Sequence, residues 1–408
     1  MKDAELSPDA YRRVMPSDPL LNEAYFQAAE HNVLAAVNHD VFHGYFSVTA
    51  GAGHFGSDTT FPGLDWGQSL EALLWLGQQA TALASWAYVR SFVREDGLVP
   101  FCINPSEAGR TLKIHGHYDL RVEDNGAVFD HWCPGNPFRA LGNVTLLQVA
   151  RAIVRHTDDR QWLADQLPVI RRVVDWILSL LTEEHLVRGA GFYLERPMRI
   201  EYDGIAQCYV ADALRRTAEL YRLLDLPAEQ IAPLLRTAES IEAAFREHFW
   251  LDDHFADYVH PTRGPIGFHG LTDVDWAAIA TGAASREQID VLWPQLRRNR
   301  DFYYGEMPTG IATDPLAFES WEWGQLDRHD LAAMGRVWYL EAWARSRMGD
   351  RDGIIDSLRR VARRGKDHDW CWMERYYSPR TGPLAAAPVD IRYVEYPANF
   401  IRIVHQFV

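Results

Sequence analysis

The chain has 408 residues, 47% hydrophobic and 24% charged, so it can bury a large core. Its formal net charge of −15 opposes binding to nucleic-acid phosphates or to an anionic membrane. The four cysteines form no CxxC pair, and the first twenty residues contain acids and prolines but no apolar signal core. No apolar stretch is long enough to span a bilayer. We therefore expect a cytoplasmic protein with reduced thiols and no cysteine-bound zinc.

Apolar residues recur at helical spacing along most of the chain. The patterns predict about eleven helices, with room for a twelfth. In chain order they lie near 21–38, 70–80, 144–154, 163–181, 214–224, 228–249, 273–283, 286–298, 326–347, 354–361 and 394–406.

Two kinds of connection alternate between these helices. Short turns such as 155–161 and 282–288 join antiparallel pairs, whereas longer, aromatic-rich connections such as 96–137 and 299–324 follow the pairs. Short turns on one side and long loops on the other are typical of a closed ring of helical hairpins. We predict an all-α protein with an (α/α)6 toroid formed by a single domain over residues 1–408, in which 1–20 are an N-terminal extension.

Aromatic residues are abundant, with 15 Trp, 17 Tyr and 18 Phe. Most aromatic side chains in any protein fill the core. Here, however, many fall in the segments between helices, where flat apolar rings suit stacking against the C–H faces of pyranose rings. The distribution indicates a small carbohydrate as the binding partner.

The C-terminal segment "WMERYYSPRTGPLAAAPVDIRYVEYPANF" resembles the end of (α/α)6-barrel glycosidases of the glycogen-debranching, trehalase and processing α-glucosidase families. In those families a glutamate precedes an aromatic pair, a turn and Thr-Gly, and it acts as the general base. The resemblance implies that Glu374 has this role. It also implies an inverting hydrolase that uses two carboxyl groups.

A second segment, "RIEYDGIAQCYVADALRRTAELYRLL", is similar to the family segment in which an acid opens a helix ahead of a Gln. The resemblance favours Asp203 as the general acid, because it directly precedes the helix. Glu201 is a competing candidate. A helix N-terminus can control the pKa of a carboxyl group, but an aspartate there can equally be a simple N-cap.

The third similar segment is "AGAGHFGSDTTFPGLDWGQSLEALL", which in the families closes around the non-reducing sugar. Asp58 and Asp65 both fit the aspartate that accepts sugar hydroxyls, although Asp65 could instead cap a helix. Together with the aromatic loops, the three segments give this set of expected substrate-binding residues: Asp58, Asp65, Trp66, His117, Trp132, Glu201, Gln207, Trp321, Glu322, Trp323 and Tyr376.

Other patterns limit the chemistry. The pair His115 and His117 lies in a loop without a third ligand fixed by the sequence, so sugar contacts are a better interpretation than a metal site. Glu322 is an outside candidate for catalysis. No phosphate-binding or dinucleotide glycine motif is present, and no Gly-x-Ser-x-Gly elbow, so we expect no cofactor.

These residues predict a glycoside hydrolase, inverting and exo-acting on a small glycoside or oligosaccharide, since the chain has no room for a large additional domain. The main alternative is a sugar epimerase of the N-acylglucosamine 2-epimerase type, which would use histidines such as His185 and His248. A phosphorylase or lyase on the same fold and a non-catalytic helical scaffold are further alternatives.

Overall fold

The computed structural model describes residues 17–38, 45–46, 50, 60–63, 65–104, 120–123, 126–130, 139–194, 199, 201–322, 330–381 and 392–408. This part of the chain contains twelve α-helices, which confirms the all-α prediction. They are α1 Pro19–Ala28, α2 Asp65–Trp75, α3 Gln79–Ser91, α4 Leu141–Thr157, α5 Arg160–Leu178, α6 Gly204–Leu223, α7 Ala228–Phe249, α8 Asp273–Thr281, α9 Arg286–Leu296, α10 Gly335–Arg347, α11 Arg351–Asp367 and α12 Glu395–Phe407. A π-helical turn, Ala29–Val33, and a 3-10 turn, Leu34–Ala36, follow α1.

The helices form two concentric rings. The even-numbered helices make the inner ring, in which each contacts the next and α12 returns to contact α2. Among the outer helices, α3, α5, α7, α9 and α11 each follow an inner partner, and α1 packs against α11 and α12. The first helix therefore completes the sixth hairpin with the last one. This arrangement is the predicted (α/α)6 toroid.

Connections differ in length on the two faces of the ring. Each inner helix passes to its outer partner through a turn of a few residues, whereas each outer helix passes to the next inner helix through a long segment. The long segments contain all the described strands, paired antiparallel in four small sheets. The strands are β1 Val37–Asn38, β2 Tyr45–Phe46, β3 Cys102–Asn104, β4 Leu120–Glu123, β5 Gly126–Phe129, β6 Tyr202–Asp203, β7 Tyr258–His260, β8 Gly264–Ile266, β9 Ala332–Ala333 and β10 Tyr376–Tyr377.

Local sequence signals explain several helix ends. Ser285 and Gln288 form a capping box at α9, and Thr272 and Asp275 form another at α8. Gly282 ends α8 with a φ of 86°, a left-handed conformation that glycine adopts at little cost. These two helices therefore begin where side-chain caps satisfy the terminal backbone groups, and α8 ends at a permissive residue.

The inner helices approach one another closely where they begin. A Cβ added to Gly204, the first residue of α6, would lie 2.6 Å from Val274 Cγ1 on α8, and one added to Gly67 on α2 would collide with Thr145 on α4. The apolar faces of both rings meet in one continuous core. Within the described residues, none of the helices combines the length and the apolar character that crossing a bilayer requires, and Cys102, Cys208 and Cys371 are free thiols.

Candidate active site

All inner helices run in the same direction. At their first turns, Arg336 of α10 bonds to Glu395 of α12, and at their last turns His405 of α12 stacks on Trp75 of α2. We call the end at which the inner helices begin the rim. The long connections reach the ring at the rim. The rim is therefore the face on which the sequence analysis expects the functional loops.

An arginine surrounded by carboxyl groups lies at the rim. Arg336 donates to both oxygens of Glu395, through Nε at 2.7 Å and Nη2 at 3.0 Å, and its Nη2 lies 3.8 Å from Oε1 of Glu374. Its Nη1 donates to the carbonyl of Tyr193 at 3.1 Å. Asp65, the first residue of α2, contributes a third carboxyl group to this Arg336 cluster. Three acids therefore share one buried guanidinium.

The protonation of Asp65 reflects this excess of acids. Burial raises the pKa of Asp65 well above its ordinary value, Arg336 opposes the rise, and the neighbouring charges of Glu395 and Glu374 add to it. The Oδ2 of Asp65 accepts a hydrogen bond from the Tyr393 hydroxyl at 2.9 Å. Its Oδ1 has no hydrogen-bond partner within the described part of the chain. The group is thus buried, favoured in its neutral form and able to make one further hydrogen bond.

Glu374 is the acid of the Arg336 cluster that solvent reaches. Its side chain is 14% exposed, whereas Asp65 is 1% exposed and Glu395 is fully buried. Oε2 of Glu374 pairs with Arg375, its neighbour in the chain. The sequence singled out Glu374, and the structure places it at the rim, beside the acid-rich guanidinium and with access to solvent.

A second arginine at the rim has a similar set of partners but no access to solvent. Arg199 pairs with Asp273 at the start of α8, and its Nη1 lies 3.4 Å from Oδ1 of Asp203. The Tyr193 hydroxyl donates to Asp273. All members of this Arg199 cluster are buried. Because the Tyr193 hydroxyl donates to Asp273 and its carbonyl accepts from Arg336, Tyr193 links the Arg199 cluster to the Arg336 cluster.

Asp203 is the N-cap of α6. Its Oδ1 accepts the Ile205 N–H at 2.8 Å and its Oδ2 accepts the Phe192 N–H at 2.6 Å. Burial raises the pKa of Asp203 to about 6, Asp273 adds to the rise, and Arg199 and the two backbone N–H groups oppose it. Both oxygens are therefore occupied, and the carboxyl group titrates near neutrality.

Glu201 lies two residues earlier and has a different environment. Its side chain is 33% exposed, and Oε1 lies 3.4 Å from Nε of Arg188. Its backbone has a φ of 77°, in the left-handed region that a glutamate rarely adopts. Strained backbone of this kind is concentrated at functional sites. Of the two acids in the 201–203 segment, Glu201 is the one with solvent access.

Glu322 belongs to a buried pair of acids that share a histidine. Its Oε2 lies 3.1 Å from Nε2 of His269, whose Nδ1 lies 2.6 Å from Oδ2 of Asp257. The Tyr258 hydroxyl donates to Oε1 of Glu322 at 2.8 Å. Although burial alone would lower it, the charge and hydrogen bonds of the two carboxylates raise the pKa of His269 to about 9. Glu322 therefore anchors its loop through an imidazolium.

The remaining predicted residues fall into three groups. Trp66 is 1% exposed in the core, and Gln207 is held by both backbone groups of Val187. Tyr376 is 6% exposed on β10, while Trp321 has the Arg263 guanidinium 4.0 Å from its ring centroid. The expected residues that lie outside the described ones are Asp58, His117, Trp132 and Trp323.

The histidines expected from the epimerase alternative lie away from the rim clusters. His185 is exposed in the turn after α5, and His248 lies in the last turn of the outer helix α7. Among the described residues there is no group of three or more His, Cys, Asp or Glu side chains that could hold a metal ion. The two arginine clusters, as the described residues show them, consist of carboxyl groups, guanidinium groups and tyrosine hydroxyls.

Sequence reasoning missed the two arginines. Arg336 lies in the first turn of α10, where the helix dipole disfavours a cation. A cation in that position needs nearby acids. An arginine in the first turn of a helix was therefore the signal in the sequence that could have indicated an acidic cluster. Arg199 gave none, because its partners Asp203 and Asp273 are brought together only by the packing of α6 against α8.

No protein-family model matches the sequence, and no curated protein matches it at a significant level. The fold does match solved structures. A GH78 family rhamnosidase from Bacillus sp. GL1 aligns with 95% of this chain at a TM-score of 0.60 and 14% identity, and a rhamnosidase from Klebsiella oxytoca with rhamnose bound gives the same three values. This chain covers 35% and 64% of those two proteins.

A smaller protein matches over nearly its whole length. The metal-independent alpha mannosidase of Streptococcus pneumoniae, solved with alpha-1,6-mannobiose, aligns with 98% of this chain and 96% of its own, with a TM-score of 0.62 and 10% identity. At this identity the likeness concerns the fold. It confirms that the chain has the toroid architecture on which these glycosidases are built.

Proposed function

We propose that the protein is a glycoside hydrolase, inverting and exo-acting on a small glycoside or oligosaccharide. The observation that carries the proposal is the Arg336 cluster, which places three carboxyl groups at the rim of a fold shared with known glycosidases. Hydrolysis of a glycosidic bond requires one carboxyl group that protonates the leaving oxygen and another that activates water.

The proposal gives Glu374 the role of general base. In the ionised form it can accept a proton from a water molecule, and its exposed fraction allows water to reach it. Two cations lie beside its oxygens, since Oε1 is 3.8 Å from Nη2 of Arg336 and Oε2 pairs with Arg375. The structure thus supplies a carboxyl group that is next to two cations and accessible to solvent.

The general acid is proposed to come from the 201–203 segment. Asp203 has the suitable pKa, about 6, since a group with this pKa holds its proton in mildly acidic solution. Glu201 has the better access, because both oxygens of Asp203 accept backbone N–H groups. Glu201 is therefore the better candidate for direct contact with the leaving oxygen. Asp203 is the better candidate for control of the conformation of the 201–203 segment.

Asp65 is proposed to hold the sugar. Its neutral carboxyl group can donate to a hydroxyl of the substrate through Oδ1, while Oδ2 keeps the bond from Tyr393. A buried acid that is paired in this way provides both orientation and specificity, since a substrate lacking that hydroxyl would leave the group unsatisfied.

The first test is the substitution Glu374→Gln, measured on a panel of nitrophenyl glycosides and disaccharides. We expect kcat to fall by about 10²–10⁴-fold, the range found for loss of a general acid or base, with little change in the thermal melt. Asp356→Asn on the outer helix α11 is the matched control, because this acid is 47% exposed and pairs only with Arg360 among the described residues. Normal turnover in Glu374→Gln would refute the role of this residue.

The second test compares Glu201→Gln with Asp203→Asn. If Glu201 is the acid, Glu201→Gln loses turnover on poor leaving groups and retains more on nitrophenyl glycosides, which need less protonation. Proton NMR of the first product resolves the mechanism, because an inverting enzyme releases the opposite anomer. In deuterated water, deuterium entering a sugar carbon would instead identify an epimerase.

A further inference from the structure

A cavity of about 560 Å³ lies inside the inner ring, and one end of it reaches the rim. Its wall follows α4 from Leu141 to His156, a length of about 22 Å at 1.5 Å per residue. Neither Glu374 nor Asp203 lines it. It is bounded at the rim by Arg336 and extends to the last turns of the inner helices.

The charge of the cavity wall is unusual for a chain with a net charge of −15. Five arginines line the cavity, and Glu71 is the one carboxylate among the lining residues. Burial lowers the pKa of His156 and of His405 from the ordinary value of a histidine. Acids outside the wall balance part of this charge, since Glu219 pairs with Arg151 and Asp212 pairs with Arg216.

Two of the arginines are held in place, but only some of their N–H groups are hydrogen-bonded within the described part of the chain. Arg402 lies over the Tyr339 ring, with Cζ 3.7 Å from the centroid, and Arg216 lies over the Trp343 ring at 5.1 Å. Arg402 bonds to Glu71 and Asn399 through Nε and Nη1, and Arg216 bonds to Asp212 through Nε. The other N–H groups of these two guanidiniums have no hydrogen-bond partner among the described residues.

Helix dipoles do not explain these positions. A cation in the last turn of a helix is stabilised by the dipole, and this accounts for Arg155 and His156 at the end of α4. Arg402 and Arg216 lie more than one turn before the ends of α12 and α6, where the dipole has little effect. Their fixed forks are the geometry with which arginine recognises carboxylate and phosphate.

Flat rings provide the remaining part of the site. Trp75 stacks on His405 with centroids 4.6 Å apart and meets the edge of His156 at 4.4 Å. The volume lies within the range of small-molecule sites. We propose that this cavity binds a mono- or disaccharide that carries an oxyanion, either a phosphate or a carboxylate, held by Arg216 and Arg402 with Arg155 at the mouth.

The experiment is isothermal titration of the full chain with glucose 6-phosphate, glucuronate, inorganic phosphate and glucose. We expect at least one of the two anionic sugars to bind at least tenfold more tightly than glucose. Tighter binding of glucose 6-phosphate identifies phosphate as the oxyanion, and tighter binding of glucuronate identifies carboxylate. Equal affinity for glucose, or no binding of either anionic sugar at millimolar concentration, would overturn the proposal.

Variants test the position of the site. Arg216→Gln and Arg155→Gln should each weaken the anionic sugar at least tenfold, and Arg155 is exposed and makes no hydrogen bond among the described residues, so its loss does not threaten folding. Arg171→Gln is the control, since Arg171 is exposed on α5 and bonds to Gln230. Unchanged affinity in both cavity variants would overturn the proposal. Because the readout is binding, this result is independent of hydrolysis at the rim.

Discussion

Aspartates begin helices at both ends of the ring, but the two ends use them differently. At the short turns, Asp159 caps α5 by accepting the Trp162 N–H at 2.8 Å, and its side chain faces solvent. At the rim, Asp203 caps α6 through Ile205 in the same way, but its second oxygen holds the Phe192 N–H, eleven residues away. In the sequence, both residues give the same local signal, an aspartate directly before a helix. Only the rim aspartate is fully buried and adjoins an arginine, Arg199, which lies four residues earlier in the chain.

This difference is consistent with the proposal that the short turns serve stability and the rim serves catalysis. A cap such as Asp159 stabilises its own helix by about 1 kcal/mol. At the rim, Asp65, Asp203 and Asp273 begin three inner helices, and their carboxyl groups converge on Arg336 and Arg199. Buried acids in such networks have shifted pKa values, which is the property that acid–base catalysis needs.

The largest effect on stability is expected at the rim. Arg199→Met should lower the free energy of unfolding by about 3–5 kcal/mol, because it leaves two buried carboxylates, Asp203 and Asp273, without their cation. Urea denaturation followed by circular dichroism measures this change. Removing one member of a buried ion pair is costly since the other charge cannot regain its hydration.

The control for this substitution is Arg286→Met on the outer helix α9. Arg286 and Asp290 form an exposed pair, with side chains 77% and 59% exposed, so the change should stay within about 0.5 kcal/mol. If Arg199→Met lowered the free energy of unfolding as little as the control does, the Arg199 cluster would not hold its segments together in the way that its burial indicates.

A second, smaller effect is expected in the pH dependence. The pKa of His269 is raised to about 9, so its contribution to stability is fully present below about pH 6.5 and is lost as the pH rises through 9. The loss should be about 3 kcal/mol between these limits, because each tenfold change in proton affinity corresponds to about 1.4 kcal/mol. Unfolding measured from pH 6 to pH 9.5 gives this slope.

The variant His269→Gln separates this histidine from other groups that titrate in the same range. It should be less stable at every pH because Asp257 and Glu322 lose their shared cation, but its stability should change less between pH 7 and 9. The change of stability with pH is the test, because the stability at any single pH would also reflect packing lost with the side chain. A slope equal to that of the unsubstituted protein would show that His269 does not titrate there.

The fold could be predicted from the sequence because its signals are local. Helical periodicity located most of the helices, and the alternation of short turns with long connections indicated the ring. The periodicity missed α3, and the helix expected over 326–347 begins only at Gly335. The start of α12, with Glu395 in its first turn, fell within one residue of the expected position. The pairing of α1 with α12 could not be read, because it depends on closure of the ring between residues more than 300 positions apart.

The site was predictable only in part. Glu374 was proposed from its aromatic surroundings and its similarity to a known motif, and Asp65 from its place at the start of α2. Asp203 shows the limit, since a cap and an acid have the same pattern in sequence and differ only in burial and in the contacts with Phe192 and Arg199. Those contacts depend on the conformation of the connection that leads into α6, which a single sequence does not display.

The smallest effect is expected at the short turns. Asp159→Ala removes the cap of α5, leaving the Trp162 N–H to water, and should lower the free energy of unfolding by about 1 kcal/mol with unchanged kcat and KM. Asp159→Asn is the matched variant, because its amide oxygen can still accept that bond and should restore most of the loss. Denaturant melts and steady-state rates of both variants measure the result. A change in kcat on Asp159→Ala would mean that the two ends of the ring are coupled, and the division between a structural face and a chemical rim would have to be abandoned.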